Sequence, residues 1–191
     1  MRRPSRRRIS RPPNRTAQRR IRGGCANDLP RTVIRSIVNE ARRADASGMS
    51  ERTRPAPTGR RPRVLLVDDD PESLAALAEL LEMEGIQVVG QATDGRAGIQ
   101  AAIDLAPDVV LMDLRMERVG GIEATREITE AAPFTQVVIL TAYDGPMPER
   151  SAAMAGAYAY LVKGCSAWLM SEIIHQAWQR SKEERRSRRH A

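Results

Sequence analysis

From Arg63 onward the chain alternates short, predominantly apolar runs with longer stretches in which apolar residues recur every three or four positions. The runs are VLLV (64–67), IQVVGQA (86–92), DVVLM ending at Met112, TQVVILTA (135–142) and AYAYLVK (157–163). A run of this length is too short for a helix. It lacks the polar alternation of a half-exposed strand and suits a parallel strand covered on both faces.

Between the runs lie helix patterns. One starts at Pro71, places Leu74, Leu77, Ala78, Leu80 and Leu81 on one face, and stops at Gly85. A second covers 95–105, with Ala97, Ile99, Ala102 and Ile103. A third opens at Gly120-Gly121, carries Ile122, Ala124, Ile128 and Ala131, and is closed by Pro133. The fourth covers 146–156. The last covers 166–180, and its apolar side holds Trp168, Leu169, Ile173, Ile174, Ala177 and Trp178. Strands alternating with helices through short loops predict an α/β fold: a doubly wound parallel sheet with right-handed crossovers over residues 63–180.

Upstream the pattern is absent. Residues 1–27 are dominated by Arg, Pro, Ser and Asn and cannot bury a core, so they are expected to be disordered. A short helix is expected over 28–45, where Val33, Ile34, Ile37, Val38 and Ala41 form a stripe. Residues 49–62 read as a linker or leader. A second expectation is that translation starts at Met49, with 1–48 an over-long gene prediction. Residues 1–62 are thus expected to be a basic extension, and 181–191 a basic C-terminal tail.

Charge sharpens this division. Residues 1–63 hold 19 arginines against 4 acids, whereas 64–179 hold 6 basic and 18 acidic residues. The body is acidic and the ends are basic. Cys25 and Cys165 form no CxxC or Cys/His cluster, so neither a zinc site nor a disulfide framework is implied. No signal-peptide core and no run near the ~18 apolar residues of a membrane span is present, and a cytoplasmic protein is expected.

The chemistry collects at strand ends, where open α/β sheets place it. The first strand delivers Asp68 and Asp69, the third Asp113, the fourth Thr141 and the fifth Lys163. Carboxylates gathered together repel unless a cation sits among them, and a hard oxygen set selects Mg²⁺ or Mn²⁺. A lysine and a hydroxyl in the same pocket suit an arriving phosphoryl group, and a carboxylate attacking it yields an aspartyl phosphate.

At these residues the sequence resembles the response-regulator receiver domain of two-component signalling. The resemblance rests on VLLVDDDP, DVVLMDLRM followed by GGIEA, VVILTA and GAYAYLVKG, and GAYAYLVKG with the last helix looks most like the NarL/FixJ class. It implies a flavodoxin-like (βα)5 fold with Asp113 as phosphoacceptor. It also implies Asp68, Asp69, Asp113 and the backbone carbonyl of Arg115 as metal ligands, Lys163 as the phosphate-pairing lysine, and Thr141 and Tyr160 as switch residues. The implied partners are a sensor histidine kinase and a downstream protein or second copy, met through the fourth helix, fifth strand and fifth helix. One departure stands out: Glu117 replaces the proline usual after the methionine of DLxMP.

Competing readings remain open at this level. The basic ends suggest a nucleic-acid-associated transcription regulator, although no helix-turn-helix pattern follows residue 180. Glu117 suggests a degenerate, phosphate-independent interaction module. A phosphatase of similar topology would want an acid two residues after Asp113, where Arg115 stands. His175 reads as a packing or surface residue and Cys165 as a bystander. Trp168 and Trp178 read as packing residues, or as a partner face where exposed.

Overall fold

The computed structural model describes residues 60–142 and 146–189. In chain order the elements are β1 (Arg63–Val67), α1 (Pro71–Met83), β2 (Gln87–Ala92), α2 (Gly95–Leu105) and β3 (Val109–Met112). They continue with α3 (Gly121–Ala131), β4 (Gln136–Thr141), α4 (Pro146–Met154), β5 (Ala159–Val162) and α5 (Ala167–Arg189). The strands form one parallel sheet in the order β2-β1-β3-β4-β5. The expected flavodoxin-like (βα)5 architecture is the one observed.

The all-apolar strands exist because both faces are covered. Val64, Leu66, Val109, Leu111, Val138, Leu140 and Leu161 pack beneath α1 and α5. Their neighbours Leu65, Val67, Val110, Met112, Val137 and Ile139 pack beneath α2, α3 and α4. Alternate side chains of each strand thus enter different cores, each supported by the ~25 cal/mol per Å² of apolar burial. Winding reverses between β1 and β3, which opens a crevice at their carboxyl ends.

Caps define the helix starts. Asp70 accepts from Glu72 N at 3.0 Å with Pro71 in the first turn, and Asp94 accepts from Ala97 N at 2.9 Å. At the opposite, amino edge of the sheet the buried Asp108 anchors the start of β1, accepting from Arg63 N at 3.1 Å and Arg60 Nη2 at 3.3 Å.

The last helix differs from its sequence pattern. The expected end at 180, with a basic tail over 181–191, is replaced by a helix that continues to Arg189. Tertiary contacts extend it. Ser181 is fully buried and Glu184 takes a hydrogen bond from Gln136 at 2.8 Å, while within the helix Arg180 pairs with Glu184 at 2.6 Å. The guanidinium groups of Arg185 and Arg188 each lie 5.4 Å from the centre of the Phe134 ring. The expected extension over 1–62, with its helix at 28–45, lies outside the described residues except for 60–62. Among the described residues, no helix is long and apolar enough to cross a membrane.

Candidate functional site

The site begins with the sequence Asp68-Asp69-Asp70, whose members separate by role. Asp68 continues β1 through its amide, which bonds Ala92 O at 3.1 Å, and its side chain is buried. Asp69 points to solvent, and Asp70 caps α1. Asp68 Oδ1 accepts from Asp70 N at 3.1 Å, and Oδ2 accepts from Ser73 Oγ at 2.9 Å and Lys163 Nζ at 2.6 Å. Ser73 was not singled out by the sequence. Its signal is its place in the first turn of α1, where side chains lean back toward the helix N-terminus and the strand end.

Asp113 lies directly beyond β3, beside the end of β1, and its amide donates to Val67 O at 2.8 Å. Its side chain is buried but keeps 7% of its surface exposed. Oδ2 accepts from Arg115 N at 3.1 Å, and Oδ1 lies 3.8 Å from Lys163 Nζ. The following loop returns tightly: Gly121 N donates to Leu114 O at 3.1 Å. A Cβ on Gly121 would sit 2.0 Å from Asp113 O, so glycine is required there. Met116 is tucked into the core below α2 and α3, while Glu117 and Arg118 are exposed. Arg118 carries a positive φ of 67°, and a residue without a preference for that region holds it at a cost of about 1–3 kcal/mol.

The remaining residues arrive from the far side of the crevice. Thr141 ends β4 fully buried, and its carbonyl accepts from Lys163 N at 2.8 Å, which ties the two loops together. Tyr160 on β5 is half-buried against the core beneath α2–α4. Burial pulls the Lys163 pKa down. The hydrogen bond to Asp68 and the charges of Asp113, Asp68 and Asp70 more than offset this, and the ammonium is held above its ordinary value.

Carboxylate oxygens of Asp68, Asp69 and Asp113 lie within 4.8 Å of one another. Three acids face one ammonium, so the cluster keeps excess negative charge, and every side-chain donor is a hard oxygen. That set fits a divalent Mg²⁺ or Mn²⁺ ion. The structure therefore brings Asp68, Asp69, Asp113, Thr141 and Lys163 to one edge, with Arg115 contributing backbone and Tyr160 level with Ile139, two residues short of Thr141.

Comparison with known proteins gives the family. The family model described as response regulator receiver domain matches residues 64–175. The chain belongs to the response-regulator receiver family. Receiver domains bind Mg²⁺ through an acidic pocket, and this one has such a pocket in its three aspartates.

Among curated relatives, the transcriptional regulatory protein LiaR of Bacillus subtilis is 39% identical over 60% of this chain and 55% of its own length. Response regulator GacA of Pseudomonas aeruginosa is 40% identical over 61% of this chain and 55% of its own. The chain spans about half the length of these relatives. Among solved structures, the response regulator domain of Thermotoga maritima CheB superposes with a TM-score of 0.59 at 32% identity, covering 63% of this chain and 98% of that one. The signal receiver domain of the Mycobacterium tuberculosis response regulator NarL gives 0.60 at 27% identity, with 63% and 98% coverage.

The residues around the receiver site resolve other expectations. Trp178 is buried in the core under α1 and α5, while Trp168 is 46% exposed. His175 packs edge-on against Trp178 at 6.1 Å, and its Nδ1 lies 2.8 Å from Ser171 O. Cys165 packs against the same core.

Proposed function

We propose that this receiver accepts a phosphoryl group on Asp113 from the phosphohistidine of a sensor histidine kinase and signals by a conformational switch to a protein partner. The observation that carries the reading is the placement of Asp113, a buried carboxylate at the switch point with Lys163 Nζ 3.8 Å from Oδ1.

An Asp113 carboxylate oxygen forms the new bond to phosphorus, and the phosphorus–nitrogen bond to the donor imidazole breaks. The donor nitrogen keeps the electron pair, and the product is an acyl phosphate. The Arg115 amide, bonded to Oδ2, orients the carboxylate for this attack. Asp68, Asp69, Asp113 and the Arg115 carbonyl are the groups that would hold Mg²⁺ or Mn²⁺. When bound, the ion neutralises charge on the transferring phosphoryl oxygens.

Lys163 supplies the second positive charge by shifting from Asp68 toward the new phosphoryl oxygens. The Thr141 hydroxyl turns to donate to them, and Tyr160 moves inward behind it. Because β4 and β5 are coupled by the Lys163 N–Thr141 O bond, these shifts reach the face made by α4, β5 and α5. That face is where a downstream protein or a second copy binds. The protein acts as a cytoplasmic signalling module and not as an enzyme on a separate substrate.

The test uses phosphoramidate as a phosphohistidine mimic. Wild type should gain a hydroxylamine-labile phosphoryl group that requires Mg²⁺ and is lost with EDTA. No gain in folded protein would identify a phosphate-independent interaction module instead.

A further inference from the structure

At the amino edge of the sheet, away from the acidic cluster, three guanidinium groups converge on one short loop. Arg63 Nη1 donates to Ala106 O at 3.2 Å, Arg185 Nη2 to Pro107 O at 3.4 Å, and Arg60 Nη2 to Asp108 Oδ1 at 3.3 Å. Two of these arginines precede or open β1, and the third belongs to the end of α5. Beside them, Arg188 shares the Phe134 ring with Arg185, and Arg61 and Arg189 are exposed.

Ordinary structural roles account for part of this cluster only. A helix C-terminus favours cations in its last turn, which explains some of Arg186, Arg188 and Arg189. It does not explain the arrival of Arg60, Arg61 and Arg63 from the other end of the folded body. Nearby acids offset only part of this charge, with Glu183 exposed just ahead of the arginine run. Asp108 is committed to Arg60 and the β1 amide, and Glu184 is held inward by Arg180 and Gln136. From Arg185 to Arg189 there is no acidic residue.

We propose that this edge binds the phosphate backbone of a nucleic acid. Guanidinium forks match phosphate oxygens, and dense positive charge suffices for sequence-independent backbone binding. Residues 182–189, KEERRSRR, offer no apolar side chain, whereas interfaces with proteins are built around an apolar centre. The body over 64–179, with 18 acids against 6 basic residues, repels a polyanion and leaves the basic ends, of which this edge is the folded part described, to receive it. The surface is distinct from the phosphorylation site and does not depend on it.

The test titrates the full chain against a short labelled DNA duplex by fluorescence anisotropy at several salt concentrations. The variant Arg61→Ala/Arg188→Ala/Arg189→Ala is compared with Arg96→Ala/Arg126→Ala/Arg150→Ala, which removes the same charge from α2, α3 and α4. Each lost phosphate contact lowers the slope of log K against log salt by about 0.9, so the edge variant should lose about 2–3 from the slope. The control should hold the wild-type slope. Lysine at the three edge positions should also hold it. If the alanine triple loses its melting transition, Arg61→Ala/Arg189→Ala replaces it, with a loss of about 1–2 expected. No duplex binding by wild type, an unchanged slope in the edge variant, or an equal fall in both variants overturns the proposal. So does competition by polyglutamate as strong as by unlabelled duplex, which would mark a site for acidic polypeptides.

Discussion

The Lys163 ammonium is bonded to Asp68 Oδ2 at 2.6 Å and stands 3.8 Å from Asp113 Oδ1. One cation thus restrains two buried carboxylates while a third, Asp69, adds its charge from the solvent side. The cluster is arranged for a further positive charge, at the expense of stability without it.

That tension predicts the effect of Asp69→Asn. Removing one exposed charge from a repelling set relieves about 0.5–1 kcal/mol, which raises the melting temperature in EDTA by about 2–4 °C. The same variant loses most of the rise that Mg²⁺ gives wild type. Differential scanning fluorimetry with and without Mg²⁺ measures both. A fall in EDTA, or an undiminished Mg²⁺ response, would contradict the assignment of Asp69 to the metal set.

Gly121→Ala tests the loop that holds Asp113. The added Cβ would meet Asp113 O at 2.0 Å, and relief requires backbone movement, so a loss of about 3 kcal/mol or more is expected. Gly85→Ala is the comparison. Gly85 has a φ of +76° but open space around it, and the strain alone costs about 1–2 kcal/mol. Urea denaturation of the two variants should separate them in that order.

Truncation after Arg180 tests the length of α5. A solvated tail would leave stability unchanged. Here the deletion removes buried Ser181, the Gln136–Glu184 bond and the two arginines on Phe134. A loss of about 2–3 kcal/mol follows from about 1 kcal/mol per net hydrogen bond and 0.5–1 per exposed cation–π contact.

Tyr158 gives a pH prediction. Burial raises its phenol pKa above 10.0, Arg180 opposes the shift and Glu183 adds to it. A raised folded-state value means that the neutral phenol's contribution to stability is whole below pH 10 and fades as pH rises through the folded value. Absorbance titration at the phenolate band should show a component above the ordinary tyrosine range. Tyr158→Phe should remove that component and the matching loss of stability.

These cases also show what was legible in the sequence. The strands were readable because VLLV, VVLM and VVIL are apolar without alternation, which only a sheet covered on both faces accommodates. Asp113 was readable as a charge at the end of such a run. The division of labour within Asp68-Asp69-Asp70 was not, since it depends on where β1 ends and α1 begins within a few ångströms. Ser73 was hidden for the same reason. The end of α5 was misread because RSKEERRSRR has the composition of a solvated tail. Its helicity depends on Phe134, Gln136 and Pro107, residues more than 40 positions away, and local pattern carries no record of them. Trp168 and Trp178 shared one periodic stripe, yet only Trp178 reached the core.

Intact mass after incubation with acetyl phosphate and Mg²⁺, for wild type and Asp113→Asn, tests the central claim most directly. The account predicts the gain of one phosphoryl group in wild type and none in Asp113→Asn. A gain in both would move the acceptor to another residue. No gain in wild type shown to be folded would contradict phosphoryl acceptance altogether.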